Sequence, residues 1–570
     1  MVVGEDIGAD TAPARRDESL VAPRLATGRA PRLAPRVVPR LVALVRRRAP
    51  LVLALLGLVA LLLVVPERPV TQAALPTPKG ITAPAAPGSP GTSVAGVACG
   101  PGIRQVPWSS YAPICQPAWH GDNGGATAPG VTATTITLTY RLATTDELQE
   151  LYALVPPAVV GTNSQAVHTM QAYINTFNRY YELYGRKVVL KPYAGEGNFI
   201  DEVTGSGLAE AQSDALTVAT SLNGFADMSL VDSTVTYTEA LQDHGVVAFG
   251  SYLQDADWYR SRAPDEQTVG PNCTKSASAI GAVLGNGLSD TRAIYAGDPT
   301  LRAENRVYGI IYPDNSTATT CARLIESALA AHHHASAVNV SFTFDPATLI
   351  QSSSNAVAQM RSHHVTTVIC ASCDPVTPIF LFIAAHGDGY RPEWFLQSYF
   401  AGGTSNLDNF VANELAEAGT PDEAGGILTL GNAPVPWSRQ EAVEAYRLGN
   451  GGSTVGLLPS YLFAYEPLLD FFNLLQAAGP DLTDHRLQAA MADTASLAPS
   501  AAPGEFGLWV YGDGVVDPSA SYSLLRWSPT TISTLDGKMG SMVACYGGRV
   551  FTYAAVDSAV PAHREPGCPS

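Results

Sequence analysis

The chain has 570 residues, 46% hydrophobic and 15% charged, with 51 Gly and 42 Pro. That is a globular composition, and too long a chain for a single core. The net charge of −17 is unevenly spread: residues 1–49 hold ten Arg and five acids, while the rest holds 24 basic against 46 acidic residues. So acidic a globular portion argues against a nucleic-acid partner, whose phosphates it would repel.

In chain order, residues 1–48 read as an Arg-rich disordered arm. Residues 49–66 contain the apolar run Leu51–Val65, and the 18 uncharged residues from Ala49 to Pro66 just suffice to cross a bilayer. Arg46, Arg47 and Arg48 directly precede the run, so the positive-inside rule keeps the arm cytoplasmic and exports the remainder. The alternative is a cleaved signal with Thr71-Gln72-Ala73 as its processing site. The long basic leader favours an uncleaved single-pass anchor. Residues 67–97, rich in Pro, Ala, Gly and Thr without apolar periodicity, read as a disordered stalk. Residues 98–131 form an extension stapled by Cys99 and Cys115.

From Thr135 short β-rich runs alternate with helical stretches. Strands are predicted at Thr135–Leu142, Lys187–Tyr193, Asp227–Val231, Val246–Ser251, Arg306–Tyr312, Ala337–Phe344, Thr366–Ala371 and Trp394–Ser398. Helices fall between them at Gln165–Tyr184, Glu210–Leu222, Thr319–Ala331, Asn355–His363 and Pro375–His386. Alternation with nearly continuous apolar strands predicts an α/β fold of parallel sheets covered by helices on both faces. The number of units exceeds one comfortable sheet and implies two lobes, with ligands at the C-terminal ends of the strands.

Eight cysteines in an exported chain read as disulfides. Cys99 with Cys115 and Cys545 with Cys568 are local pairs; Cys273 and Cys321 lie on successive helices and are placed to bridge them. Cys370-Ala371-Ser372-Cys373, at a strand end, reads as a small structural disulfide, with redox chemistry and metal binding as alternatives. The runs His332-His333-His334 and His363-His364 close predicted helices, where imidazoles complement the helix dipole; they are not read as a metal site. No G-x-S-x-G, H-E-x-x-H or P-loop is present, and no catalytic residue, metal or cofactor is assigned. Gly195-Glu196-Gly197 reads as a flexible loop rather than a dinucleotide fingerprint.

Several stretches carry a family likeness. Gly130-Val131-Thr132 precedes the first strand; TFNRYYELYGRKVVLKPY supplies a long helix, glycine turn and second strand. HGDGYRPEWFLQS (His386–Ser398) and the helix end Leu475–Thr483 follow at matching intervals. Together they resemble the leucine/isoleucine/valine-binding type of periplasmic binding protein. Cys99–Thr127 is similar to a leader on actinobacterial members of that ABC-transporter substrate-binding family.

The resemblance implies a two-lobed type I fold. Lobe 1 would span 132–268 and 400–495, lobe 2 would span 272–399 and 500–545 with strands near Phe506–Tyr511 and Tyr522–Trp527, and 546–570 would be a tail. It implies three hinge crossings, closure on a small-molecule ligand (an amino acid or related solute), and delivery to an ABC permease without catalysis. A membrane-anchored sensor ectodomain on the same fold is the alternative, and an enzyme using the Cys370/Cys373 pair a third. By position the ligand would meet Tyr140, Arg141, Ser233, Thr234, Ser251 and Tyr252 on lobe 1, and Asp374 and Tyr399 on lobe 2. Lobe 2 departs from the pattern of amino-acid-binding members, so a branched-chain amino acid is not implied.

Overall fold

The computed structural model describes residues 80–154, 160–251, 253–343, 345, 347–373, 377–398, 412, 413, 416, 421–457, 459–500, 503–534 and 537–569. The arm, the apolar segment 49–66 and the start of the stalk lie outside them. Among the described residues no helix is long and apolar enough to cross a membrane.

The first lobe is built on five parallel strands in the order β2-β1-β3-β4-β5. These are β1 (Thr135–Leu142), β2 (Lys187–Ala194), β3 (Ala226–Asp227), β4 (Val247–Phe249) and β5 (Glu266–Gln267). The interior residues of β1, TITLTYRL, are buried on both faces, as a central strand between helical layers requires. On one face lies α2 (Asn163–Tyr180), which follows the shorter α1 (Thr145–Leu154). Thr162 and Gln165 close a capping box at its start. Ala166, Met170, Tyr173, Ile174 and Phe177, at helical spacing, enter the core.

The second lobe carries a sheet of parallel strands in the order β7-β6-β8-β9-β10, extended by antiparallel β11 and β12. Its strands are β6 (Tyr308–Pro313), β7 (Val338–Phe342), β8 (Thr367–Cys373), β9 (Glu393–Ser398), β10 (Ile427–Gly431), β11 (Ser521–Ile532) and β12 (Met539–Ala544). Ile310 and Ile369 enter one apolar cluster and their neighbours Ile311 and Cys370 the other, the period-two signature of a sheet with a core on each face.

The predicted strand order in sequence holds, but three assignments change. β10 hydrogen-bonds to β9, so its stretch joins the second sheet rather than lobe 1. Phe506, Trp509 and Tyr511 pack in the first-lobe core because their rings fill space beside Tyr111 and Tyr465; they are not second-lobe strands. Residues 80–97, expected to be disordered stalk, are tied down: Thr82 N donates to Asp122 O, Gly88 N to Cys115 O, and Gly91–Thr92 pairs with Ala98–Cys99. The Cys99–Cys115 extension is itself core, since Tyr111 is 2% exposed and bonds the backbone at Phe506 and Gly507.

The chain therefore crosses between the lobes three times: near 268–272, near 432–436, and between Tyr511 and Ser521. The first and third crossings are pinned together. Buried Asp517 accepts from Lys275 Nζ at 2.7 Å and Asn272 Nδ2 at 2.7 Å, and Lys275 also reaches the Ser519 carbonyl at 2.9 Å. All four disulfides, Cys99–Cys115, Cys273–Cys321, Cys370–Cys373 and Cys545–Cys568, are formed.

Candidate ligand site

Parallel strands deliver their C-terminal ends to one edge of each sheet. At the first-lobe edge β1 ends in Tyr140, which is buried, and Arg141, whose side chain is fully enclosed. Arg141 Nη1 donates to Glu202 Oε1 at 2.6 Å and Asp214 Oδ2 at 3.2 Å; Nη2 donates to Glu202 Oε2 at 3.1 Å and the Asp232 carbonyl at 2.8 Å. Its guanidinium lies 3.9 Å over the Tyr237 ring. Glu202 comes from α3 (Phe199–Thr204) and Asp214 from α4 (Leu208–Thr217). The expected ligand contact is thus the hub of an internal ion network. The loop read as flexible, Gly195-Glu196-Gly197, is a lid on it: Glu196 N and Gly197 N both donate to Asp214 at 2.9 Å. A Cβ on Gly197 would stand 2.7 Å from Arg141 Nη1, so only glycine lets the backbone approach that closely.

The hydroxyls at this edge are committed to protein acceptors. Thr139, Ser229 and Tyr237 donate to the buried Asp227 carboxyl at 2.6, 2.6 and 3.2 Å. Thr234 donates to Glu202 and, as N-cap of α5 (Val235–Asp243), accepts from Tyr237 N. Ser251 donates to Glu266, and Ser233 makes a long 3.5 Å bond to Phe249 O. Burial pushes the Asp227 carboxyl up to about 6 and Glu266 to about 8.

One pair at this edge has the opposite character. Glu147, in the first turn of α1, uses Oε2 to accept from Thr144 N while Thr144 Oγ1 accepts from Glu147 N, a capping box. Its Oε1 and Asp232 Oδ1 are buried without a donor among the described residues. The two carboxyls lie against each other, and one proton shared between them would relieve their repulsion. Burial and, for Asp232, the Glu147 charge raise both. The motif Thr144-x-x-Glu147 is present in the sequence, as is Asp232 in the loop after β3; that the two carboxyls meet is not legible there.

No family model and no curated protein matches the chain by sequence. Among solved structures it is similar to an ABC-transporter substrate-binding protein from Aeropyrum pernix, at 11% identity, covering 75% of this chain and 97% of that one, with a TM-score of 0.50. This chain has the type I periplasmic-binding-protein fold. A solute-binding protein from Rhodopseudomonas palustris HaA2 in complex with p-hydroxybenzoic acid is similar at 11% identity, with 74% and 97% covered and a TM-score of 0.49. A Desulfitobacterium hafniense substrate-binding protein in complex with Leu is similar at 14%, with 74% and 99% covered and a TM-score of 0.43. Only the first reaches a score that supports the fold.

In this type I fold the second-lobe edge is formed by the ends of β6, β8, β9 and β10. The Cys370–Cys373 disulfide closes the end of β8 over a bulge, where pairing jumps from Cys370↔Leu396 to Cys373↔Ser398. Ser372 there adopts φ 51°, and its N–H donates to Gln397 Oε1 at 3.1 Å; Gln397 Nε2 reaches Ser276 Oγ at 2.9 Å. Tyr252, Asp374 and Tyr399 lie outside the described residues. The histidine runs close helices: His332 caps Ser316–Ala331 and His363 caps Leu349–Ser362, while His333 and His364 take φ of 64° and 54°. Among the described residues no three ligating side chains gather for a metal.

Proposed function

We propose that this chain is an exported, membrane-anchored solute-binding protein that closes its lobes on a small molecule and hands it to an ABC-type permease. The observation that carries the proposal is the pair of sheets joined by three crossings, an arrangement suited to hinge closure around a ligand at the strand ends. Capture, closure and docking complete the mechanism, and no bond is made or broken. Four disulfides support an oxidising compartment outside the cytosol. The apolar run at 49–66 and its flanking arginines support a tether. Besides the five described positions Tyr140, Arg141, Ser233, Thr234 and Ser251, this reading places Tyr252, Asp374 and Tyr399 around the ligand, with Arg141 holding the site from beneath.

The test is thermal unfolding of the purified chain against amines, amino acids, amides, sugars, organic acids and aromatics. A ligand at 100 times its Kd stabilises by about 2.7 kcal/mol. A saturable hit supports capture of a solute. Absence of any hit across the whole library counts against it.

A further inference from the structure

The hydrogen-bond inventory of the first-lobe edge points to the chemistry of its ligand. A bound carboxylate needs free donors. Thr234, Ser251 and Ser233 already donate to Glu202, Glu266 and the Phe249 carbonyl, and the nearest guanidinium, Arg141, spends both Nη groups on protein acceptors and keeps only its buried Nε without one among the described residues. What the edge holds in surplus is acceptors: Glu147 Oε1 and Asp232 Oδ1, on residues at most 4% exposed, are reached by no N–H or hydroxyl donor among the described residues.

We infer that the Glu147–Asp232 pair is the binding site for an ammonium group of the solute, which takes the place of the proton the two carboxyls share. This rests on the solute-binding reading and names its ligand class, an amine-bearing cation. The exchange balances: R–NH3⁺ enters, its N–H groups donate to the two carboxylate oxygens, and one H⁺ leaves to solvent. The pair then carries two negative charges around one positive charge.

Position supports the assignment. Glu147 stands at the start of α1, five residues beyond Leu142 where β1 ends, and Asp232 stands in the turn after β3. Both belong to the edge where this fold takes ligands. The surroundings are anionic. Arg141 on β1 faces the pair but is balanced by Glu202 on α3 and Asp214 on α4, and the uncharged Tyr237 of α5 closes the far side of the guanidinium. Burial raises both carboxyls, and the Glu147 charge raises Asp232 further, so the pair gives up a proton less readily than free carboxyls until a cation replaces it.

The experiment is calorimetric titration of the purified full-length chain with putrescine, agmatine and leucinamide, and with benzoate and isovalerate as carboxylate probes. Each is run near pH 7 in phosphate and again in Tris. Amine binding is expected with release of about one proton, read from the difference in heat between buffers. Glu147→Gln retains the helix cap, and Asp232→Asn is isosteric. In each, amine affinity is expected to fall about ten- to a hundred-fold, with proton release abolished. Carboxylates binding while amines do not would overturn the inference and leave the solute-binding reading standing. Amine binding without proton release, or unchanged in both variants, would also overturn it. Binding by no probe would overturn the ligand class, and the broader library would then decide the parent reading.

Discussion

Replacing Arg141 separates its two assigned roles. The sequence placed it against the ligand; the structure sets it, fully enclosed, among Glu202, Asp214 and the Asp232 carbonyl. Removing one member of a buried ion pair costs about 3–5 kcal/mol, because the partner is left charged and unsolvated. Arg141→Gln strands two carboxylates and falls at the upper end of that range above neutrality. Burial already raises Glu202 against the pull of Arg141, so protonation relieves the loss in acid, and the deficit grows as pH rises. Arg141→Lys offers a point charge in place of the planar fork and rescues only part. Hydrogen exchange of β1 and β3 reads this directly: protection is expected to fall by roughly three to four decades at pH 8, and less at pH 5. A variant with unchanged protection and lost solute affinity would refute the network and return Arg141 to the ligand.

Other outcomes follow from the same packing. Burial lifts Glu266 and Glu505 from 4.5 to about 8 and Asp470 from 3.8 to about 7. The folded chain therefore binds more protons than the unfolded one, and these groups stabilise most below about pH 4.5, with their contribution lost as pH rises through 8; urea midpoints from pH 5 to 8.5 should fall, and Glu505→Gln should flatten the decline. Gly449→Ala would set a Cβ 1.7 Å from the Ala172 carbonyl oxygen, prising apart two first-lobe helices at about 1–3 kcal/mol, measurable as a lower urea midpoint. On loop length alone, removing Cys273–Cys321, with separation 48, should cost about 4 kcal/mol, against about 3 for Cys99–Cys115, with separation 16; paired Cys→Ser variants rank them by denaturation. Thiol labelling of the folded chain should find Cys370 and Cys373 unreactive, and rapid labelling without reductant would revive an enzymatic reading.

What the sequence made legible was local. Apolar runs such as TITLTYRL and TVICASC announce buried strands, and paired cysteines announce their bridges. The histidines announce helix ends because the turn after each helix needs a left-handed residue beside the negative dipole end. Long-range placement was not legible. Ile427–Gly431 is too short to declare its sheet, and only hydrogen bonds to β9 assign it. Tyr111 reads as part of an appendage until its ring is seen between Phe506 and Trp509. Arg141 looks available because Glu202 and Asp214 lie 61 and 73 residues away. Glu147 carried a visible cap motif, but its significance depends on an oxygen of Asp232 that no periodicity reveals.

Small-angle scattering of the purified chain, with and without a saturating solute identified by the thermal screen, tests capture by closure. The radius of gyration is expected to fall on binding, as two lobes turn about crossings at 268–272, 432–436 and 511–521. A solute that binds tightly, stabilises the fold and leaves the radius unchanged would contradict capture by closure.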